Sequence, residues 1–68
     1  MNRIKLVLKS QYRTQKYLVD HTGMSAAIIS MYCNNLQQPK LDTLEIIANL
    51  LDVDIRDLIE PSKRKNKS

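Results

Sequence analysis

The sequence predicts an all-α fold, a compact domain of five helices, and three observations support this. Apolar residues such as Leu44, Ile47 and Leu51 recur at intervals of three and four, the spacing of a buried helix face. Serine, threonine and asparagine stand before such segments, where their side chains can cap a helix. The length of 68 residues allows one domain with a small core, which we expect to span residues 1–60.

The first 21 residues predict two helices. Asn2 is placed to cap the first helix, whose buried stripe is formed by three apolar residues, Ile4, Val7 and Leu8. Thr14 is placed to cap the second helix, which runs to about His21.

A tight turn and a third helix follow. Gly23 stands where the chain must reverse with a positive φ, a conformation that is cheap for glycine. Ser25 caps a helix that extends to about Cys33 and ends at asparagines 34 and 35, which tolerate a left-handed stop. Ile29 and Tyr32 are expected to face back toward Leu18. Helices 2 and 3 therefore form a helix-turn-helix.

The fourth helix has the clearest pattern. Pro39 fixes an extended approach to it. Its predicted buried stripe consists of five residues at helical spacing, Leu41, Leu44, Ile47, Ala48 and Leu51. Residues 52–54 form a turn into a short fifth helix over residues 55–59. Residues 61–68 contain no hydrophobic residue, and we expect a disordered basic tail there.

The chain resembles the DNA-binding domain of the lambda-repressor and Cro-like, or XRE-type, family. The segments TQKYL at 14–18, GMS at 23–25, ISMY at 29–32 and LDTLEIIANLLDVDIRDLI at 41–59 carry the resemblance, together with Pro39. It covers about residues 3–60. Val19 stands where the family usually has alanine, and Tyr12 stands where it often has glycine. The resemblance implies a cytoplasmic transcriptional regulator, a repressor or autoregulator, that binds double-stranded DNA.

The distribution of charge agrees with a DNA-binding face. Residues 1–40 contain six basic residues against one acidic residue, whereas residues 41–60 contain one basic residue against six acidic ones. The four basic residues of the tail therefore account for the whole net charge of +4. A basic half that contains the helix-turn-helix suits a nucleic-acid partner. A chance partition of solvated charges is the alternative, and the tail can equally be a solubilising end.

Helix 3 carries the predicted base-reading residues. Because Ile29 and Tyr32 face inward, the outward positions are Ala26, Ala27, Ser30 and Met31. The resemblance assigns base contacts in the major groove to these four positions. Alanine and methionine can pack on a thymine methyl, and serine can pair with either base type. The alternative for the two alanines is plain helix propensity without a base contact.

Phosphate contacts are predicted around the recognition helix. The family uses the glutamine at position 15 to hold the DNA backbone, and the alternative is a solvated side chain. Tyr17 can place its hydroxyl on a phosphate or pack against helix 1. The full predicted set is Arg13, Gln15, Lys16, Tyr17, Asn34, Asn35, Gln38 and Lys40. Asn35 and Gln38 are expected to contribute main-chain N–H groups.

Surplus apolar residues predict a homodimer. Ile46 and Leu50 lie off the main stripe of helix 4 and form a second ridge, which Ile55 and Ile59 extend. A two-fold dimer through this ridge would place two recognition helices roughly 34 Å apart, about one turn of DNA. The alternative is one broadly hydrophobic helix wrapped by helix 5.

Other function classes find no support in the residues. A single histidine, a single cysteine and a single glycine give no catalytic pair, no metal site and no glycine-rich phosphate loop. We therefore expect no enzyme, no cofactor and no small-molecule substrate. No apolar run approaches the roughly 20 residues of a membrane helix, and the lone Cys33 fits a reducing cytoplasm. The competing hypothesis is a helix-turn-helix scaffold that binds a protein, like an antitoxin or antirepressor.

Overall fold

A computed structural model describes residues 1–59 of the chain. Four α-helices, α1 (Ile4–Ser10), α2 (Gln15–Thr22), α3 (Ala26–Cys33) and α4 (Leu41–Leu51), are followed by a 3-10 helix (Ile55–Leu58). The predicted all-α class is confirmed, and the fifth helix is a single 3-10 turn that ends at Leu58 rather than Ile59. Within the described residues the only β-type pairing is an isolated antiparallel bridge between Asn2 and Ile59. The predicted basic tail lies outside the described part of the chain.

Side chains from all five helical elements meet in one core. Its members are the buried hydrophobic residues Ile4, Leu8, Leu18, Ile29, Cys33, Leu44, Ile47, Ala48, Leu51 and Leu58. Val7 and Tyr32 pack against this core while only half-buried. The predicted inward faces of α1, α2 and α3 are therefore confirmed.

One predicted member of the α4 stripe is not in the core. Leu41 is 62% exposed, whereas the other four residues of the stripe are buried. The reason is its position: Leu41 is the first residue of α4, so it lies at the end of the stripe, beyond the cluster that the remaining helices cover. Helical spacing predicts which face is apolar, but not where along the helix the core stops.

Three of the helices end in the same backbone motif with a residue in the left-handed region. After α1, Tyr12 has φ 58°, its N–H donates to the Lys9 carbonyl at 3.1 Å, and the next N–H, of Arg13, donates to the Leu8 carbonyl at 2.9 Å. This pair of bonds is a Schellman motif. The same pair of bonds ends α3 with Asn35 at φ 58° and α4 with Asp52 at φ 56°.

The helix starts agree with the sequence to different degrees. Ser25 caps α3 as predicted, because its hydroxyl accepts the N–H of Ile28 at 3.2 Å. Thr14 occupies the capping position of α2 but its side chain makes no capping hydrogen bond. Asn2 accepts the N–H of Ile4 at 3.1 Å, although Arg3 occupies the capping position of α1.

None of the helices in residues 1–59 is long and apolar enough to cross a membrane.

Candidate nucleic-acid interface

The helix-turn-helix is held by a buried contact layer and a turn of fixed shape. Leu18 of α2 and Ile29 of α3 are both fully buried in the core. Gly23 lies between the helices with φ 77° and donates its N–H to the Val19 carbonyl. A Cβ at Gly23 would meet no atom within 4 Å, so the backbone conformation, not space, favours glycine there. The turn thus sets the direction in which α3 leaves α2.

The outward face of α3 is small and mostly apolar. Ala26, Ala27 and Met31 are exposed, as predicted, and Ser30 is half-buried. The Ser30 hydroxyl oxygen accepts a hydrogen bond from the Asn34 amide at 3.2 Å, and that amide also donates to the Ser30 carbonyl at 2.9 Å. The Ser30 hydroxyl therefore has its own proton left to donate to an acceptor.

The basic residues at the start of α2 are engaged with neighbours at the protein surface. The Lys16 amino group pairs with Asp20 one turn later, at 3.1 Å. The Arg13 guanidinium lies 4.1 Å from the centre of the Tyr17 ring, and its Nε donates to Gln11 at 3.2 Å. Both side chains remain exposed, so these contacts are of the weak surface kind that a phosphate can replace.

Tyr17 and Gln15 are both half-buried, and Tyr17 forms a hydrogen bond with another helix. Its hydroxyl donates to the Leu50 carbonyl of α4 at 3.3 Å, and its ring centre lies 4.2 Å from that of His21. A phosphate contact by this hydroxyl would have to replace the bond to α4. Gln15 is the first residue of α2, the place that the predicted backbone contact requires.

The loop after α3 is tied to the N-terminal segment by amide side chains. The Asn35 side-chain amide makes two hydrogen bonds to the Asn2 backbone. Its oxygen accepts the Asn2 N–H at 2.8 Å, and its nitrogen donates to the Asn2 carbonyl at 3.3 Å. The Asn2 amide nitrogen donates to the Tyr32 carbonyl at 2.9 Å and to the Gln38 side chain at 3.0 Å. Gln38 donates in turn to Asn35 at 3.1 Å.

This cluster of Asn2, Asn35 and Gln38, the amide cluster, contains two of the predicted phosphate contacts. The Asn35 main-chain N–H donates to the Tyr32 carbonyl in the Schellman motif, so it is occupied within the helix end. The Gln38 side chain holds the loop in place. Asn2 is only 8% exposed and is the one buried polar side chain among the described residues. The sequence predicted only a capping role for Asn2, because hydrogen bonds between residues 30 to 36 positions apart leave no periodic signal.

Other predicted contacts lie at the two edges of this loop. Asn34 is exposed and accepts a hydrogen bond from the Lys5 amino group at 3.2 Å. Lys40 is exposed at the capping position of α4. Both are therefore accessible to a ligand that approaches α3.

The four residues of the predicted dimer ridge differ in exposure. Ile46 is 48% exposed and Ile59 is 41% exposed. Leu50 and Ile55 are half-buried and pack against the core. Ile46 and Ile59 are therefore the members with most apolar surface left to bury.

The structure offers little for metal or thiol chemistry. No group of three histidine, cysteine or acidic residues within residues 1–59 is arranged to hold a metal ion. Burial raises the pKa of the Cys33 thiol, and the Lys5 charge opposes this shift only in part. A buried thiol with a raised pKa is a small core residue rather than a nucleophile.

Comparison with known proteins agrees with the predicted helix-turn-helix. The family model HTH_3, described as Helix-turn-helix, matches residues 4–58. The structure is similar to the crystal structure of a protein from Bacteroides fragilis that is described as a putative DNA-binding protein. The TM-score is 0.86 and the sequence identity is 47%. That similarity covers 88% of this chain and 97% of the other. No curated protein matches the sequence.

Proposed function

Because the chain belongs to the HTH_3 helix-turn-helix family, the lambda-repressor-like or XRE-type group, we propose that it is a sequence-specific DNA-binding transcriptional regulator. The observation that carries the proposal is the exposed face of α3, with Ala26 and Ala27 at its first turn, on a helix fixed from behind by Ile29. In a helix-turn-helix, the N-terminal part of the second helix enters the major groove. The described relative from Bacteroides fragilis supports DNA as the partner.

The chemistry of the α3 face suggests how bases are read. Ala26, Ala27 and Met31 offer methyl groups that pack against the C5 methyl of thymine. Ser30 offers its hydroxyl proton to a base acceptor. None of these residues forms the bidentate pairs that arginine or glutamine makes, so each mismatch is expected to cost about 1 kcal/mol, the lower end of the usual range.

Phosphate contacts position the protein without reading sequence. We propose that Gln15, Arg13 and Lys16 at the start of α2 hold the backbone on one side of α3. Asn34 and Lys40 hold it on the other side, where the amide cluster fixes the loop between them. Tyr17 would join the first set only by giving up its hydrogen bond to Leu50.

We further propose a homodimer through the ridge of Ile46, Leu50, Ile55 and Ile59. The exposed apolar surface of Ile46 and Ile59 supports this proposal. A two-fold pair would read a palindromic operator with half-sites one helical turn apart. Regulation would then come from occupancy of a promoter in the cytoplasm, as a repressor or autoregulator.

The second candidate is a protein-interaction module built on the same scaffold. The apolar, uncharged outward face of α3 favours it, because such a face suits a protein surface as well as a DNA groove. Exposed basic side chains beside α3, such as Arg13 and Lys40, favour DNA.

Selection of bound sites from random duplexes tests the proposal. We expect an enriched palindromic site, bound with a steep dependence on salt because phosphate contacts release counterions. Equal affinity for all duplexes would replace specific regulation with an architectural role. Absence of binding at low salt would support the protein-interaction module.

A further inference from the structure

The hydroxyl of Ser30 is the one polar group on the outward face of α3 that the structure leaves open to a base. Ser30 follows Ala26 by four residues and Ala27 by three, so the three residues lie on one face of the helix. A free serine hydroxyl both donates and accepts hydrogen bonds, and it therefore suits either base type. The neighbours of this hydroxyl decide which of the two roles remains.

Asn34 is the neighbour that matters, and its amide has a fixed orientation. The amide oxygen accepts from the Lys5 amino group at 3.2 Å, and the amide nitrogen donates to the Ser30 carbonyl at 2.9 Å. An ammonium group only donates and a carbonyl oxygen only accepts, so both contacts demand the same orientation of the amide. The Asn34 nitrogen therefore faces Ser30, where it also donates to the hydroxyl oxygen at 3.2 Å.

The proton of the Ser30 hydroxyl is not used inside α3. The hydroxyls of Ser10 and Thr22 show the usual alternative, since each donates to a backbone carbonyl of its own helix. The Ser30 hydroxyl donates to no carbonyl of the described residues, and its oxygen accepts from Asn34 instead. Because the Asn34 nitrogen occupies one side of this oxygen, the hydroxyl proton points away from Asn34.

We propose that Asn34 is a positioning residue that makes Ser30 a hydrogen-bond donor toward DNA, so that the base opposite Ser30 presents an acceptor. In the major groove guanine, thymine and adenine each present an acceptor, whereas cytosine presents only its amino donor. Cytosine is therefore the disfavoured base at this position. The inference rests on the proposed function and gives Asn34 a part in base selection, in addition to the phosphate contact proposed above.

The test compares the affinities of the parent and its variants for the selected operator and for every single-base change of it. Ser30→Ala identifies the operator position that Ser30 reads, where the parent should disfavour cytosine about threefold to tenfold, the effect of one hydrogen bond. Asn34→Ala removes the amide, and at φ −96° an alanine fits the backbone without strain. Lys40→Ala is the control for loss of a phosphate contact, and circular dichroism confirms the fold of each variant.

Loss of the amide should change base preference at one position. Without it the hydroxyl oxygen is free to accept from cytosine, so Asn34→Ala should reduce the discrimination against cytosine there to about twofold or less. Ser30→Ala/Asn34→Ala should have the same base preference as Ser30→Ala alone, because Asn34 acts through Ser30. Lys40→Ala should keep the base preference of the parent.

Asn34→Asp should shift the preference in the opposite direction. A carboxylate beside Lys5 has no proton to donate and accepts the Ser30 proton, so the Ser30 oxygen is left to accept from a base amino group. Cytosine and adenine should then gain relative to guanine and thymine. Asn49→Asp makes the same change of charge at an exposed position of α4 and should keep the base preference of the parent.

Two results would overturn the inference while the proposed function stands. In the first, Asn34→Ala weakens binding to all duplexes alike and keeps the parent's base preference, which makes Asn34 a phosphate contact alone. In the second, Ser30→Ala has the base preference of the parent at every operator position. If the parent binds no duplex, or binds all duplexes equally, the proposed function fails and this inference fails with it.

Discussion

Two individual residues shape this small domain, one through a left-handed backbone conformation and one through a buried polar side chain. Tyr12 adopts φ 58° with its side chain 96% exposed, so it ends α1 in a conformation that suits glycine better. Asn2 is buried and joins the N-terminal segment to the loop after α3. The sequence showed both residues but not these roles, because a capping motif depends on where the helix stops and the amide cluster depends on contacts across the fold.

Replacing Tyr12 by glycine should stabilise the protein. A left-handed conformation costs an L-residue roughly 1–2 kcal/mol, and the extra unfolded entropy of glycine cancels about half of that gain. We expect a net gain of about 0.5–1 kcal/mol, seen as a rise of several degrees in Tm. Leu6→Gly, at an exposed position in the middle of α1, is the control and should lower Tm. A lower Tm for Tyr12→Gly would show that the ring makes stabilising contacts that outweigh the strain.

Replacing Asn2 by alanine should destabilise the protein by about 1–3 kcal/mol. The change leaves the Tyr32 carbonyl and the Gln38 side chain without their donor and the Ile4 N–H without its acceptor. Chemical denaturation measures the loss. Asn49→Ala, on the exposed side of α4, is the matched control and should change stability little. Equal stability of the two variants would mean that water replaces the amide cluster without cost.

Helices are the scale at which the sequence was most informative. Spacing of apolar residues predicted the buried faces of all four α-helices, and Gly23 and Ser25 predicted the turn and cap of the helix-turn-helix. The same spacing misplaced Leu41, because periodicity identifies a face and not the extent of the core. The bond from Tyr17 to Leu50 was also missed, since it depends on how α2 and α4 sit together in the fold.

Substitutions at the phosphate-contacting positions beside α3 should change the affinity for DNA equally for all DNA sequences. Lys40→Ala is expected to weaken binding to all duplexes alike and to lower the magnitude of the salt slope by about one unit, because one phosphate contact is lost. Arg56→Ala on the 3-10 helix is the control for charge alone. A Lys40→Ala variant with altered base preference would place Lys40 in the groove instead of on the backbone.

At the scale of the whole molecule, the sequence predicts two separate surfaces, one of basic groups beside α3 and one an apolar ridge on α4 and the following segment. This prediction rests on the distribution of charge and on the surplus of apolar residues. It could not rank the four ridge residues, since their exposure depends on how the 3-10 helix packs. The structure leaves Ile46 and Ile59 most exposed, while Leu50 packs against the core and binds Tyr17 through its carbonyl.

Ile46→Glu should therefore test the dimer more cleanly than a change at Leu50. A carboxylate in an apolar two-fold interface faces its own copy, so we expect monomers in sedimentation equilibrium with the helical signal unchanged. Leu6→Glu, at another exposed apolar position on α1, is the control and should remain dimeric. A dimer that survives Ile46→Glu would place the interface elsewhere.

The affinity of Ala27→Glu for the selected operator tests the central claim most directly. A carboxylate at this exposed position of α3 would meet base acceptors and phosphates in the major groove, so the variant should lose specific binding while the parent binds. Asn49→Glu on α4 is the charge-matched control and should bind like the parent. A thymine-to-uracil change at a contacted base should cost the parent about 1 kcal/mol or less. If Ala27→Glu binds the operator as tightly as the parent, α3 does not read the DNA and the account is contradicted.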